Sequence, residues 1–125
     1  CGGSMFQSIS AAASANDGYV VGVDVDQSSE SDTVITSAMK GLSDAVQWAV
    51  AKVYDGTFDE IGGVGTSLGV EQNAVGLPTA TWSLNNYTVE EYEELFDKVL
   101  KGDVVVDADY NNLEQDYSNL TLKIS

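Results

Sequence analysis

The chain has 125 residues, enough for one domain with a core that removes about two thirds of the unfolded surface from water. Twenty Asp and Glu against five Lys and Arg leave a formal charge of −15, which repels phosphate backbones and argues against nucleic-acid or anionic-membrane partners. Histidine is absent, which removes Ser-His-Asp and Cys-His catalysis and His-ligated zinc. The single Cys1 can form no internal disulfide.

In chain order, Cys1-Gly2-Gly3-Ser4 is a small-residue turn that leads into a Ser/Ala-rich segment, residues 5–16. Met5, Ile9, Ala12 and Ala13 recur there at helical spacing, with Ser4 as the expected N-cap and Asp17-Gly18 as the stop. From Tyr19 the chain starts as an apolar stretch, breaks at Gly22 and ends by pushing out Asp24 and Asp26, and residues 19–25 are predicted to form a strand buried on both faces between helix layers. A polar loop follows over residues 26–32, and a short β-branched strand is expected over 33–36.

Leu42, Ala45, Val46, Ala49, Val50 and Val53 lie at i, i+3, i+4, i+7, i+8 and i+11, which predicts a helix with that face buried and a stop at Asp55-Gly56. Residues 61–70 are glycine-rich, and residues 73–77 read as another strand, closed by the only proline, Pro78. Thr88-Val-Glu-Glu91 is a capping box that opens a helix running to Lys101, with Gly102 as its stop and Val89, Tyr92, Phe96 and Val99 as its apolar stripe. A last strand is expected over 104–106, ahead of an acidic, Asn-rich tail that ends in an apolar stretch at 120–124. Strands alternating with helices make the fold class α/β with a parallel sheet.

Sheets of that kind bind ligands at the carboxyl ends of their strands, so Asp24 and Asp26 draw notice. Two residues apart, they share a face if the strand persists that far. A carboxylate at that edge can accept two hydrogen bonds from a vicinal diol, or it can simply cap the loop. One such pair falls far short of a calcium site, and no metal site is expected. Lys40 is one of five cations; as a surface residue it does nothing, but it could instead neutralise Asp24 or Asp26 or donate to a ligand hydroxyl. Gly2 and Gly3, ahead of a helix, are placed to offer backbone N–H groups to a ligand oxygen, although an ordinary helix entry has the same composition. Trp48 lies nearly opposite the apolar stripe of its helix, which suits a half-exposed contact.

Taken together, Val20-Val-Gly-Val-Asp-Val-Asp-Gln27 and Asp32-Thr-Val-Ile-Thr-Ser-Ala-Met-Lys40 resemble the basic membrane protein (PnrA-like) family of ABC-transporter substrate-binding lipoproteins. The turn at Cys1-Gly-Gly-Ser4, one helix ahead of the first motif, and the later Asp55-Gly-Thr-Phe58 and Asn73-Ala-Val-Gly-Leu77 extend the resemblance over most of residues 1–106. It implies one parallel-sheet lobe of a type I periplasmic-binding-protein fold, the first lobe being largely absent, and so a single α/β domain over 1–125 that forms the C-terminal fragment of a two-lobe receptor. It further implies a non-enzymatic, cofactor-free component of an ABC importer that binds a nucleoside, chiefly a purine nucleoside, and passes it to a permease. By the same resemblance Asp24 matches the residue that holds ribose hydroxyls, Lys40 the lysine that assists it, and Gly2 or Gly3 the turn lining the pocket. Asp26 and Gln27 then stand behind those contacts.

The implied location is extracytoplasmic, with a lipid anchor in the full-length form. Cys1 also admits a rival reading, in which it is itself the lipidated first residue of a small lipoprotein. Residues 41–58 are expected to cross to the missing lobe, which would leave the isolated fragment prone to self-association. The alternative to a solute receptor is an independently folding surface or assembly domain that acts through protein contacts.

Overall fold

A computed structural model describes residues 3–106. The chain enters through a 3-10 turn, Gly3–Met5, into helix α1, Phe6–Ala15. Met5 occupies the N-cap position with φ −94° and ψ −2° and makes no side-chain cap. Ser4 is therefore not the cap: a capping hydroxyl needs an extended backbone at the boundary, and here the turn already coils one residue before the helix. The predicted stop holds, since Asp17 takes φ +51° and the Gly18 N–H reaches back to the Ala13 carbonyl at 2.8 Å.

Strand β1, Val20–Asp24, pairs in parallel with β2, Val34–Lys40. The second strand begins one residue later than expected and runs four residues further. Val20 faces Val34 but Val21 faces Thr36, so Ile35 is an extra residue in β2, a bulge. The hydroxyl of Ser83 donates to the Ile35 carbonyl at 2.6 Å, which satisfies an acceptor within the irregular stretch. Strand β3, Val75–Gly76, adds antiparallel to β2 through Met39–Gly76 and Lys40–Val75. The fold class is α/β, as expected, with the order β1-β2-β3 and β2 in the centre.

Phe6, Val20 and Val34 form the buried cluster, with Ile9 and Ala13 packed against it, so α1 covers one face of the parallel pair. The other face is more open than a doubly covered strand would be. Val21 keeps 45% of its surface in water, which corrects the expectation that β1 is buried on both sides.

Helix α2, Leu42–Tyr54, departs further from expectation. Its predicted apolar stripe is not buried: Leu42, Val46, Val50 and Val53 are all exposed, and Asp44, Ala45, Trp48, Ala49 and Lys52 are the half-buried positions. The periodicity correctly predicts a helix, but no described element lies over the stripe. The Lys52 ammonium stands 5.9 Å from the Trp48 ring centroid and 2.7 Å from a Glu60 oxygen, so this flank is held by a cation–π contact and an ion pair.

Helix α3, Val89–Lys101, follows its sequence signals closely. Thr88 caps it by accepting from the Glu91 N–H, Glu91 returns the bond to the Thr88 N–H at 2.8 Å, and Gly102 closes it at φ +79°. Val89, Tyr92, Phe96 and Val99 are its half-buried stripe. The Tyr92 ring lies between Trp82, 5.5 Å away, and Phe96, 6.0 Å away. Residues 104–106 form no strand; Val105 and Val106 are exposed and pair with no described strand. The apolar stretch expected at 120–124 lies outside the described residues.

Candidate functional site

The end of β1 and the end of β2 lie side by side, with Asp24 in register with Met39 and Lys40 one step beyond. The parallel pair thus presents both candidate side chains at its carboxyl edge, where ligands of such sheets sit. Oδ1 of Asp24 is 2.7 Å from the Lys40 ammonium. The approach lies off the line of an aligned hydrogen bond, so the contact is an ion pair in close approach. Of the two acidic residues that Lys40 was expected to neutralise, the structure selects Asp24.

Oδ1 is also screened from solvent, yet 43% of the Asp24 side chain is exposed. The exposure therefore falls on the rest of the group. A carboxylate with one oxygen on a cation and its remainder facing water can accept hydrogen bonds from ligand hydroxyls.

The backbone at Asp24 is unusual. It has φ +70°, and the Val25 N–H donates to the Val23 carbonyl at 2.8 Å. An i to i+2 bond about a residue of positive φ is a γ-turn of the uncommon, strained kind. The strand consequently stops at Asp24 and does not run on to Val25. Asp24 and Asp26 do not share a strand face, and the geometry expected of a paired carboxylate edge is absent.

Asp26 turns elsewhere. Its Oδ1 accepts from the Ser28 N–H at 3.0 Å and its Oδ2 from the Thr81 hydroxyl at 2.6 Å. The Thr81 hydroxyl, and after it the Ser28 backbone, hold the Asp26 carboxyl below its ordinary range. Asp26 therefore ties Thr81 to the β1–β2 loop. Gln27 folds back under β1: its Oε1 accepts from the Val23 N–H at 2.9 Å, and its own N–H donates to the Ser37 Oγ at 3.0 Å.

Gly3 opens the 3-10 turn that leads into α1, and Gly2 and Cys1 lie outside the described residues. Beside Lys40, on the side of β3 and α3, is a concavity of about 410 Å³ walled by Asn73, Val75, Leu77, Tyr92 and Phe96. Among the described residues no cluster of three metal-ligating side chains forms.

Reading the sequence alone missed Ser37 and Thr81. Ser37 is completely buried and Thr81 lies 55 residues from its partner, so neither advertises itself locally. Gly22 did carry a signal: a glycine inside an apolar strand marks a close approach, and a Cβ there would stand 2.4 Å from the Ser37 Oγ.

The family profile for Bmp, described as ABC transporter substrate-binding protein PnrA-like, matches residues 1–109. The match includes α1, the β1–β2 pair with Asp24 and Lys40, and α3, and it ends just beyond the described residues. That span is most of the 125-residue chain, and the family is one of substrate-binding components of ABC transporters. The chain belongs to the PnrA-like family of ABC transporter substrate-binding proteins.

Proposed function

We propose that this chain supplies the ribose-facing wall of a nucleoside-binding cleft in an extracytoplasmic receptor that delivers its ligand to an ABC permease. The observation that carries this reading is the Asp24–Lys40 contact at the carboxyl edge of β1 and β2. The Asp24 carboxylate accepts the two hydrogen bonds of a ribose diol, and Lys40 orients the carboxylate while donating toward the ligand. No bond is made or broken in the ligand; the site binds and releases. A second α/β lobe, with the base-binding wall, closes over the cleft and excludes water. A lipid anchor keeps the receptor near its permease.

Calorimetry with inosine and adenosine on the receptor as it occurs in the cell tests the proposal. Saturable binding that Asp24→Ala weakens by about tenfold or more is the expected result, since a hydrogen bond to a charged acceptor accounts for about 1.5–3 kcal/mol. Undiminished binding by Asp24→Ala would remove Asp24 from the site.

A second reading, a domain acting through protein contact, draws on the exposed apolar stripe of α2. Under it the chain associates with itself or with a partner protein and ignores nucleosides. Sedimentation of the receptor as it occurs in the cell, with and without inosine, separates the two readings, because a receptor responds to the ligand and an assembly domain does not.

A further inference from the structure

The γ-turn at Asp24 is an unfavourable conformation for a residue with a side chain, and it persists only if its surroundings impose it. Those surroundings are specific. The Val23 carbonyl is taken by the Val25 N–H, and the Val23 N–H by Oε1 of Gln27. Both polar groups of the residue before Asp24 are thus bound to residues that follow it.

Gln27 is fixed in turn. Its own N–H donates to the Oγ of Ser37, the residue opposite Gly22 on β2, which has no exposed surface at all. Gly22 admits this packing because a Cβ there would meet the Ser37 Oγ at 2.4 Å and the Gln27 Oε1 at 2.9 Å. The Gln27 carbonyl also accepts from the Glu30 N–H at 3.0 Å, which closes the loop on itself. A chain of contacts therefore runs from a buried hydroxyl through Gln27 to the strained residue that presents its carboxylate to Lys40.

We propose that Ser37, acting through Gln27, is a positioning residue for Asp24: the Ser37–Gln27–Val23 bonds impose the positive φ that aims the carboxylate at Lys40 and outward from the sheet edge. The ligand arm of this inference rests on the reading of Asp24 as a ribose contact; the conformational arm does not. A merely structural role would lower stability without changing the Asp24 backbone or the ligand affinity in particular.

The test compares Gln27→Met, of similar length but lacking the acceptor, with Gln27→Glu, which keeps an oxygen for the Val23 N–H, and with Ser37→Ala. The sign of φ at Asp24 is read by NMR from the one-bond Cα–Hα coupling and the intraresidue HN–Hα cross-peak, and inosine affinity is read by calorimetry. Gln27→Met and Ser37→Ala are expected to lose the positive φ and to weaken inosine binding by about tenfold, while Gln27→Glu retains the positive φ. A positive φ retained in both Gln27→Met and Ser37→Ala would overturn the inference whatever the ligand does. Loss of the positive φ with unchanged inosine affinity would overturn the positioning role. If the unmutated protein binds no inosine, the nucleoside reading fails and the φ measurement alone decides this one.

Discussion

Lys40 and Asp24 meet across two parallel strands, with the ammonium 2.7 Å from Oδ1 at the edge where both strands end. Sixteen residues separate them in the chain, and it is the register of β1 with β2 that brings them together. Both side chains retain much of their exposure, 61% for Lys40 and 43% for Asp24. A pair this open contributes little to folding.

Lys40→Met should therefore separate stability from binding. Folding stability, measured by urea denaturation, is expected to fall by under about 1 kcal/mol, as for exposed ion pairs. Inosine affinity is expected to fall several-fold in the same variant. A stability loss of several kcal/mol would instead mark the pair as a structural bridge.

Asp26 gives a pH prediction with a definite sign. Its folded carboxyl lies below the ordinary value of 3.8, first because of the Thr81 hydroxyl and then the Ser28 backbone. A depressed acid contributes stability that is present above pH 3.8 and is lost as pH falls through the lower folded value. Thr81→Val should destabilise the protein near neutral pH by no more than about 1 kcal/mol, because solvent screens the site. The gap between the two proteins should narrow as the pH is taken below 3.8, and urea midpoints across that range measure it.

Gly22→Ala places a methyl group where the nearest atoms are the Ser37 Oγ at 2.4 Å and the Gln27 Oε1 at 2.9 Å. Ser37 is buried and cannot swing into water. A cost of roughly 1–3 kcal/mol is expected, as for overpacking in a closed interior, and the thermal midpoint should fall accordingly. An unchanged midpoint would mean that β1 and the Gln27 loop separate easily.

The buried cluster around Phe6 and the open stripe of α2 should respond very differently to substitution. Phe6 is 4% exposed at the centre of the buried cluster, so Phe6→Ala is expected to cost about 3–5 kcal/mol. Val46, on the open stripe of α2, is 63% exposed, and Val46→Gln should change stability by under about 0.5 kcal/mol. Denaturant midpoints of both variants in the 125-residue chain check the contrast. A large loss from Val46→Gln would show that something covers α2 in solution.

What the sequence by itself determined is local. Thr88 and Glu91 cap α3 because their side chains reach backbone groups three residues away, a contact that needs no tertiary structure. The 3.6-residue spacing of Val89, Tyr92, Phe96 and Val99, and the valine-rich stretch of β1, likewise carry their element types in the pattern itself. Asp24 stood out locally as a polar group at the end of an apolar stretch, whereas its preference over Asp26 and the choice of Lys40 rest on the family resemblance.

Tertiary structure decided everything that depends on which distant residues meet. The bulge at Ile35 and the register after it bring Lys40 toward Asp24, and the Gln27–Ser37 contact accompanies a positive φ that separates Asp24 from Asp26. Thr81 claims Asp26 across 55 residues, and no periodicity records such a bond. The stripe on α2 shows the same limit from the other side. Amphipathic spacing says that a helix has an apolar face, but only the arrangement of the other elements says whether that face is covered.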